Sequence, residues 1–383
     1  MNKIISFIHR FSFKQVGAAF IVLAGLLGVQ QILLHKVNNY LMFSKPFFNL
    51  IQGKDLYLPY PDFYYDIYKY SPPFALLFAP FSMLPDGVGV VLWNLLNAAV
   101  FVIAIRHFFK DNKLCIYALL IVLLEAITSL QNLQSNCLLT GLMILTYTHM
   151  RKRNIFYAAI LVSIAAYIKI YGIAAMAFAL FFKQRFKFGF LTVLCLMLLF
   201  ISPLIVLNYD ALLLNYKSWM SVVGVSTTGS QMSVMGILQT WFGWSGSFAV
   251  VQLAGFLIVL SPLVQIKKWN DKYFHQLVVA SILMFVVLFN QMAESPTYII
   301  PLTGVAIWFL SFQKPSSFDI FLLVFVLLLT SLSATDLFPK FVRDEYVKPY
   351  TLKALPVLVV WIKLQFQLCS KGSTEYREFA MDK

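Results

Sequence analysis

Asp55, Asp62 and Asp66 lie close together in one stretch of this chain, residues 36–72, which is dense in Tyr and Phe and holds several Pro. Aromatic faces pack on the apolar faces of sugar rings, and carboxylates accept hydrogen bonds from hydroxyls, so the composition suits a carbohydrate. It also suits an aromatic belt at a membrane interface. A second polar knot, Gln131-Asn132-Leu133-Gln134-Ser135-Asn136, offers uncharged amide donors and acceptors, and its Asn and Ser suit helix capping. Glu125 lies inside the apolar run just before that knot. An ionisable residue at such depth is a functional candidate, or else the partner of a basic or amide group nearby. Lys169, in Tyr167-Ile168-Lys169-Ile170-Tyr171, is flanked by apolar stretches. Its ammonium can hold a phosphate as a point charge, or snorkel to lipid headgroups. In Glu294-Ser295-Pro296-Thr297-Tyr298, Pro296 fits a helix start, and Glu294 favours the positive end of that helix.

These residues stand out because the rest of the chain is apolar. Of 383 residues, 60% are hydrophobic and only 12% charged, against about 25% charged in ordinary soluble domains. With a mean hydropathy of +0.78, this excludes a soluble enzyme, a disordered scaffold and a disulfide-stapled secreted domain. The four cysteines sit in apolar stretches without metal-ligand spacing, and the five histidines lie far apart.

A crossing helix needs roughly 20 apolar residues. Apolar runs lie near Val16–Leu34, Val88–Ile105, Leu114–Leu130, Cys137–Tyr147, Ile155–Ile168, Ile170–Phe182, Phe188–Leu207, Phe248–Val264, Phe274–Phe289, Thr297–Phe312, Ile320–Leu332 and Leu352–Leu368. They predict an all-α polytopic membrane protein of about twelve spans. The Pro-rich piece Phe74–Leu84 is too short to cross alone and reads as re-entrant or interfacial. The first run lacks a small-x-small cleavage site and reads as an uncleaved anchor.

With the N-terminus inside, 19 Lys and Arg fall on inner segments and 10 on outer ones, with Lys363 inside the last span. The excess of 30 basic over 16 acidic residues is thus a topology signal rather than a nucleic-acid one. Both termini are expected in the cytoplasm. The segment 1–369 forms one membrane domain with a first outer loop 36–72 and a long outer loop 208–247. Residues 370–383 form a cytoplasmic tail. This map sends most carboxylates outward and places Lys169 at an outer turn between two short helices. One long helix centred on Lys169 is the alternative.

The order of certain motifs resembles glycosyltransferase family 87, a group of GT-C type. The matching residues are Gly53-Lys54-Asp55-Leu56-Tyr57, Tyr68-Lys69-Tyr70-Ser71-Pro72-Pro73-Phe74, Leu84-Pro85, Trp93-Asn94, Gln134-Ser135-Asn136, Lys169 and Glu294 to Tyr298. The resemblance implies a GT-C-like bundle and transfer of a hexose, in the family mannose, from a polyprenyl-phosphate sugar. The acceptor would be a lipid or glycan at the outer face of the inner membrane. It implies membrane lipids as partners and no nucleic acid. No Gly-rich phosphate loop or Asp-x-Asp motif is present, so no nucleotide-sugar site is expected. No metal site is assigned, although a divalent ion at the outer carboxylates stays open. The family's expected base, an Asp just after the first span, falls here at Asn38 or Asn39. An Asn cannot take up a proton at neutral pH.

An inverting transfer needs a carboxylate base on the acceptor side and a cation or donors at the leaving phosphate. Asp66 is the expected base, with Asp62 second. Lys169, Gln134 and Asn136 are expected to anchor the donor phosphate. Lys69, Tyr70, Glu125, Glu294 and Asn39 are expected to orient sugar hydroxyls or the loop. A transporter or lipid-linked-sugar flippase would call for paired broken helices in inverted repeats. A non-catalytic assembly subunit is the other alternative.

Overall fold

The computed structural model describes residues 10–224 and 232–370. The expected tail, apart from Ser370, lies outside the described residues, as do Lys3 and the segment 225–231 of the long outer loop. The described residues form helices and turns, with no strand among them. Each of the twelve apolar runs falls on a helix. Four helices are long and apolar enough to cross a membrane: Phe13–Leu33, Asp86–Phe109, Arg185–Ile205 and Ser317–Ala334. A fifth candidate is the pair Asn112–Ile121 and Leu123–Gln131, bent by 56°. Six of the remaining runs are shorter apolar helices, and Cys137–Tyr147 lies within the helix Asn136–Arg151. The described residues are therefore all-helical, with four or five candidate membrane spans where about twelve were expected.

Several expectations need amending. The stretch 36–72 is only partly a loop, because it opens with the helix Asn38–Ile51. The stretch 208–247 carries the helices Tyr209–Gly224 and Val234–Phe242. The Pro-rich piece folds as two short helices, Pro72–Leu77 and Ala79–Ser82. The single long helix about Lys169 does not form. Lys169 is extended (φ −144°, ψ 127°), between the α-helix Ile155–Ile168 and the 3₁₀ segment Ile170–Phe181. A Cβ at Gly172 would lie 2.6 Å from the Ala165 carbonyl carbon and oxygen. Only glycine therefore allows the second segment to pack this closely on the first.

The chain divides into two compact units. One comprises Ala18–Ala104 and Leu130–Ser226. Its core is an aromatic cluster around fully buried Phe43, whose ring centroid lies 4.9 Å from Tyr70, 5.6 Å from Phe74 and Phe78, and 5.8 Å from Trp93. Such pairs contribute about 0.5–1.5 kcal/mol each beyond area burial. The short helix after Ser71 is set locally. Ser71 is its N-cap, accepting from the Phe74 N–H, and Pro72 and Pro73 occupy the first turn, where no N–H is needed.

The other unit comprises Met1–Gly17, Ile105–Ser129 and Thr227–Lys383. Its core packs Lys272–Leu288 against Ile299–Leu310 and Leu355–Cys369. Small residues let membrane helices approach closely, and here Gly304 does so: a Cβ would sit 2.6 Å from the Ala280 carbonyl oxygen. Trp361 Nε1 donates to the Ser281 carbonyl oxygen, and Gln365 Nε2 to Ser281 Oγ. Lys363, expected inside the last span, is ion-paired with Asp319, which also forms the capping box with Ser316. Gly304→Val should force Lys272–Leu288 and Ile299–Leu310 apart. The expected cost is about 1–3 kcal/mol, seen as a lower thermal midpoint in detergent. An unchanged midpoint would contradict the close approach.

Candidate functional site

The knot Gln131–Asn136 is held in place by one face of the helix Asp86–Phe109. Trp93 Nε1 donates to the Leu133 carbonyl oxygen (2.9 Å), and Asn94 Nδ2 to that of Leu130 (3.1 Å). Asn97 Oδ1 accepts from the Leu138 N–H (3.0 Å). The spacing of 93, 94 and 97 follows from helical periodicity, which puts i, i+1 and i+4 toward one side. Between these contacts Leu133 takes a positive φ of 52°. That region disfavours residues with a side chain and persists only where surrounding bonds enforce it.

Around this knot the structure gathers five of the ten expected residues. Lys169 Nζ donates to Asn136 Oδ1 at 2.7 Å. Tyr70 Oη donates to Gln134 Oε1 at 3.3 Å. Ser71 Oγ donates to the Tyr167 carbonyl oxygen at 2.6 Å, tying the start of the short helix to the chain two residues before Lys169. Asn39 Nδ2 donates to the Asn132 carbonyl oxygen at 2.8 Å. Gln134 and Asn136 are buried. The cluster thus presents a cation and several amide and phenol groups on fixed backbone.

The acids lie on the adjoining loop. Asp66 Oδ2 pairs with Lys69 Nζ at 2.9 Å, and Oδ1 accepts from the Ile67 N–H at 2.7 Å. Its side chain is 52% exposed, so the pair itself adds little stability. Asn38 Oδ1 accepts from the Tyr65 N–H at 2.9 Å. One of the two residues, Asn38 or Asn39, at which the resemblance expects the base therefore holds the backbone one position before Asp66. Asp62 is exposed. Asp55 is engaged: Oδ1 accepts from the Tyr57 N–H and Oδ2 from Ser218 Oγ. Asn215 holds the same turn through the Leu56 N–H. Trp219 Nε1 donates to the Lys69 carbonyl oxygen, and Tyr57 Oη to that of Tyr70. Burial keeps the Tyr57 phenol far above its ordinary pKa, so it remains a donor at physiological pH. Sequence reasoning passed over Asn215, Ser218 and Trp219, which belong to a helix hidden in a presumed loop.

Glu125 and Glu294 belong to the other unit. Glu125 is fully buried, and its Oε1 accepts from Lys353 Nζ at 2.8 Å. Lys353 also donates to Ser295 Oγ at 2.9 Å and stands 5.0 Å from the centroid of the Tyr298 ring. Glu125 thus meets the basic partner that the sequence left open as the alternative to a sugar-orienting role. Glu294 is exposed, and its carboxylate does not cap the following 3₁₀ turn. Its main-chain carbonyl does so instead, accepting from Thr297 Oγ1 and N–H. Lys353 is a residue that sequence reasoning missed, having counted it among outer topogenic cations. The signal was Glu125 itself, since a buried carboxylate needs a cation.

Among the described residues no three His, Cys, Asp or Glu side chains gather as a metal site, and all four cysteines are free. Removing one partner of a buried pair leaves the other charge unpaired, a loss of about 3–5 kcal/mol. Lys353→Met should therefore lower the thermal midpoint sharply, and adding Glu125→Gln should recover part of the loss. Equal stability of Lys353→Met and the parent would refute the pair's structural role.

No curated protein matches this chain. The family description of glycosyltransferase family 87 matches residues 68–331. That span takes in the Tyr68–Phe74 motif, the knot, Lys169 and Glu294, and leaves out Gly53–Tyr57 and Lys353. With more than half its length matched, and its helices apolar enough for a membrane, the chain belongs to glycosyltransferase family 87.

Proposed function

We propose that this membrane glycosyltransferase transfers a hexose, most simply mannose, from a polyprenyl-phosphate sugar to a hydroxyl of a lipid or glycan acceptor. The reaction takes place at the outer face of the inner membrane, in a GT-C-type bundle with both termini cytoplasmic. The observation that carries this reading is the contact between Lys169 and Asn136 beside the Tyr70–Gln134 pair. A fixed cation with amide neighbours is what a departing phosphate requires.

In this reading the acceptor oxygen attacks the anomeric carbon as the bond from that carbon to the phosphate oxygen breaks. The acceptor proton passes to the Asp66 carboxylate, with Asp62 as the second candidate. The bonding pair leaves with polyprenyl phosphate, held by Lys169 with Gln134 and Asn136. Lys69, Tyr70 and Asn39 set the loop and the sugar hydroxyls. The contact from Asn38 to the Tyr65 N–H supports Asp66 as the carboxylate that serves in place of the family's Asp.

The purified protein should transfer sugar from a polyprenyl-phosphate hexose into a membrane lipid extract. Movement of the intact donor between leaflets would instead indicate a flippase, and neither outcome an assembly subunit. Asp66→Asn should lower the transfer rate by about 10²–10⁴-fold, the range for loss of a general base, with elution on size exclusion unchanged. Full activity of Asp66→Asn would exclude that residue as base. Lys169→Ala should lower the rate by roughly 10²–10³-fold, the scale for removing one preorganised stabilising group.

A further inference from the structure

The unit that contains the Glu125–Lys353 pair also holds a cavity of about 240 Å³. Its polar lining consists of Ser295, Ser333, Arg343, Lys348, Thr351 and Lys353, and no carboxylate lines it. Ser333 Oγ already donates to the Leu329 carbonyl oxygen, and each of the other groups has a donor left to offer. Lys353 Nζ spends two of an ammonium's three N–H groups, on Glu125 and Ser295. Ser295 Oγ accepts that bond, which leaves its own proton to donate. Arg343 makes only long contacts: Nε to Asp344 at 3.4 Å, and Nη1 to Asp336 and the Thr335 carbonyl at 3.3 Å. Among the described residues Arg343 Nη2 makes none. Lys348 meets Asp344 at 2.7 Å but is mostly exposed.

Thr351 is the second, independent sign. It is 97% buried, being 3% exposed, and its Oγ1 has no hydrogen-bond partner. A buried hydroxyl left unpaired is costly, and an acceptor inside the cavity would relieve it. Thr351 also adopts a φ of 54°, rare for a β-branched residue. A cavity rimmed by three cations and three hydroxyls, with no carboxylate in its lining, fits a small multivalent oxyanion. It does not suit a hard metal cation, which needs carboxylate or carbonyl oxygens at the rim.

We propose that this cavity binds a phosphate group, either free in solution or carried on a lipid headgroup. The site stands independently of the role given to Lys169, since every residue that lines it belongs to the other unit. The test uses the full-length protein in phosphatidylcholine nanodiscs, with thermal unfolding followed by Trp fluorescence. One arm titrates inorganic phosphate. The other compares nanodiscs carrying increasing phosphatidic acid. A ligand that binds the folded state raises the midpoint with saturation. A saturable rise in the first arm supports a soluble anion, and a rise in the second alone supports a headgroup. Arg343→Gln, Lys348→Gln and Thr351→Ala should each weaken the apparent affinity, the charge variants by about tenfold or more. Lys340→Gln, an exposed cation outside the cavity lining, should not. No saturable rise in either arm, or an undiminished rise in both Arg343→Gln and Lys348→Gln, overturns the proposal.

Discussion

A main-chain carbonyl buried in an apolar body has no water to bond, so some group of the protein must reach it. For the segment around Leu133 that group is the indole of Trp93, assisted by the amides of Asn94 and Asn97. These bonds come from one rigid helix, and they hold Leu133 in a conformation it would otherwise leave. Everything else in the candidate site follows from that constraint. Asn132 is placed to accept from Asn39, Gln134 to accept from Tyr70, and Asn136 to meet Lys169. The aromatic cluster around Phe43 has a matching role, since Tyr70 and Trp93 both pack on that ring. The packing that stabilises this unit thereby also sets the polar groups in register.

The two units handle buried charge differently. In one, part-buried Lys169 donates to the neutral amide of Asn136. In the other, Lys353 is met by the carboxylate of Glu125, and the pair is shut away from solvent. Burying two charges together seldom adds net stability, but separating them is costly. The Glu125–Lys353 pair therefore acts as a registration device between the bent pair near Val122 and the segment before Leu355–Cys369. In doing so it leaves Lys353 with a donor facing the cavity beside Thr351.

Much of this was readable from residue order, and the exceptions have physical causes. Apolar runs forecast helices well, because only helices satisfy the backbone in lipid. Lys169 was readable as a break, since a lone ammonium in the middle of a short apolar stretch is costly. The helices Asn38–Ile51 and Tyr209–Gly224 were not, because Asn, Ser, Lys and an internal Pro46 mask helical periodicity in an amphipathic segment. The bend near Val122 carries no Pro or Gly signal. Pairings across long sequence separations, such as Glu125 with Lys353 or Asp55 with Ser218, depend on packing that no local pattern records. Counting Lys353 as a topology signal hid its structural use.

In the proposed reaction Lys169, which donates to Asn136, holds the phosphate of a polyprenyl-phosphate ligand. The most direct measurement is the affinity of the purified protein for polyprenyl phosphate without its sugar, by native mass spectrometry from detergent micelles. Parent protein and Lys169→Gln would be compared at matched folding. The account predicts saturable binding by the parent and binding at least about tenfold weaker in Lys169→Gln, the scale of one lost charge-assisted contact. Equal affinity in the two proteins would contradict it.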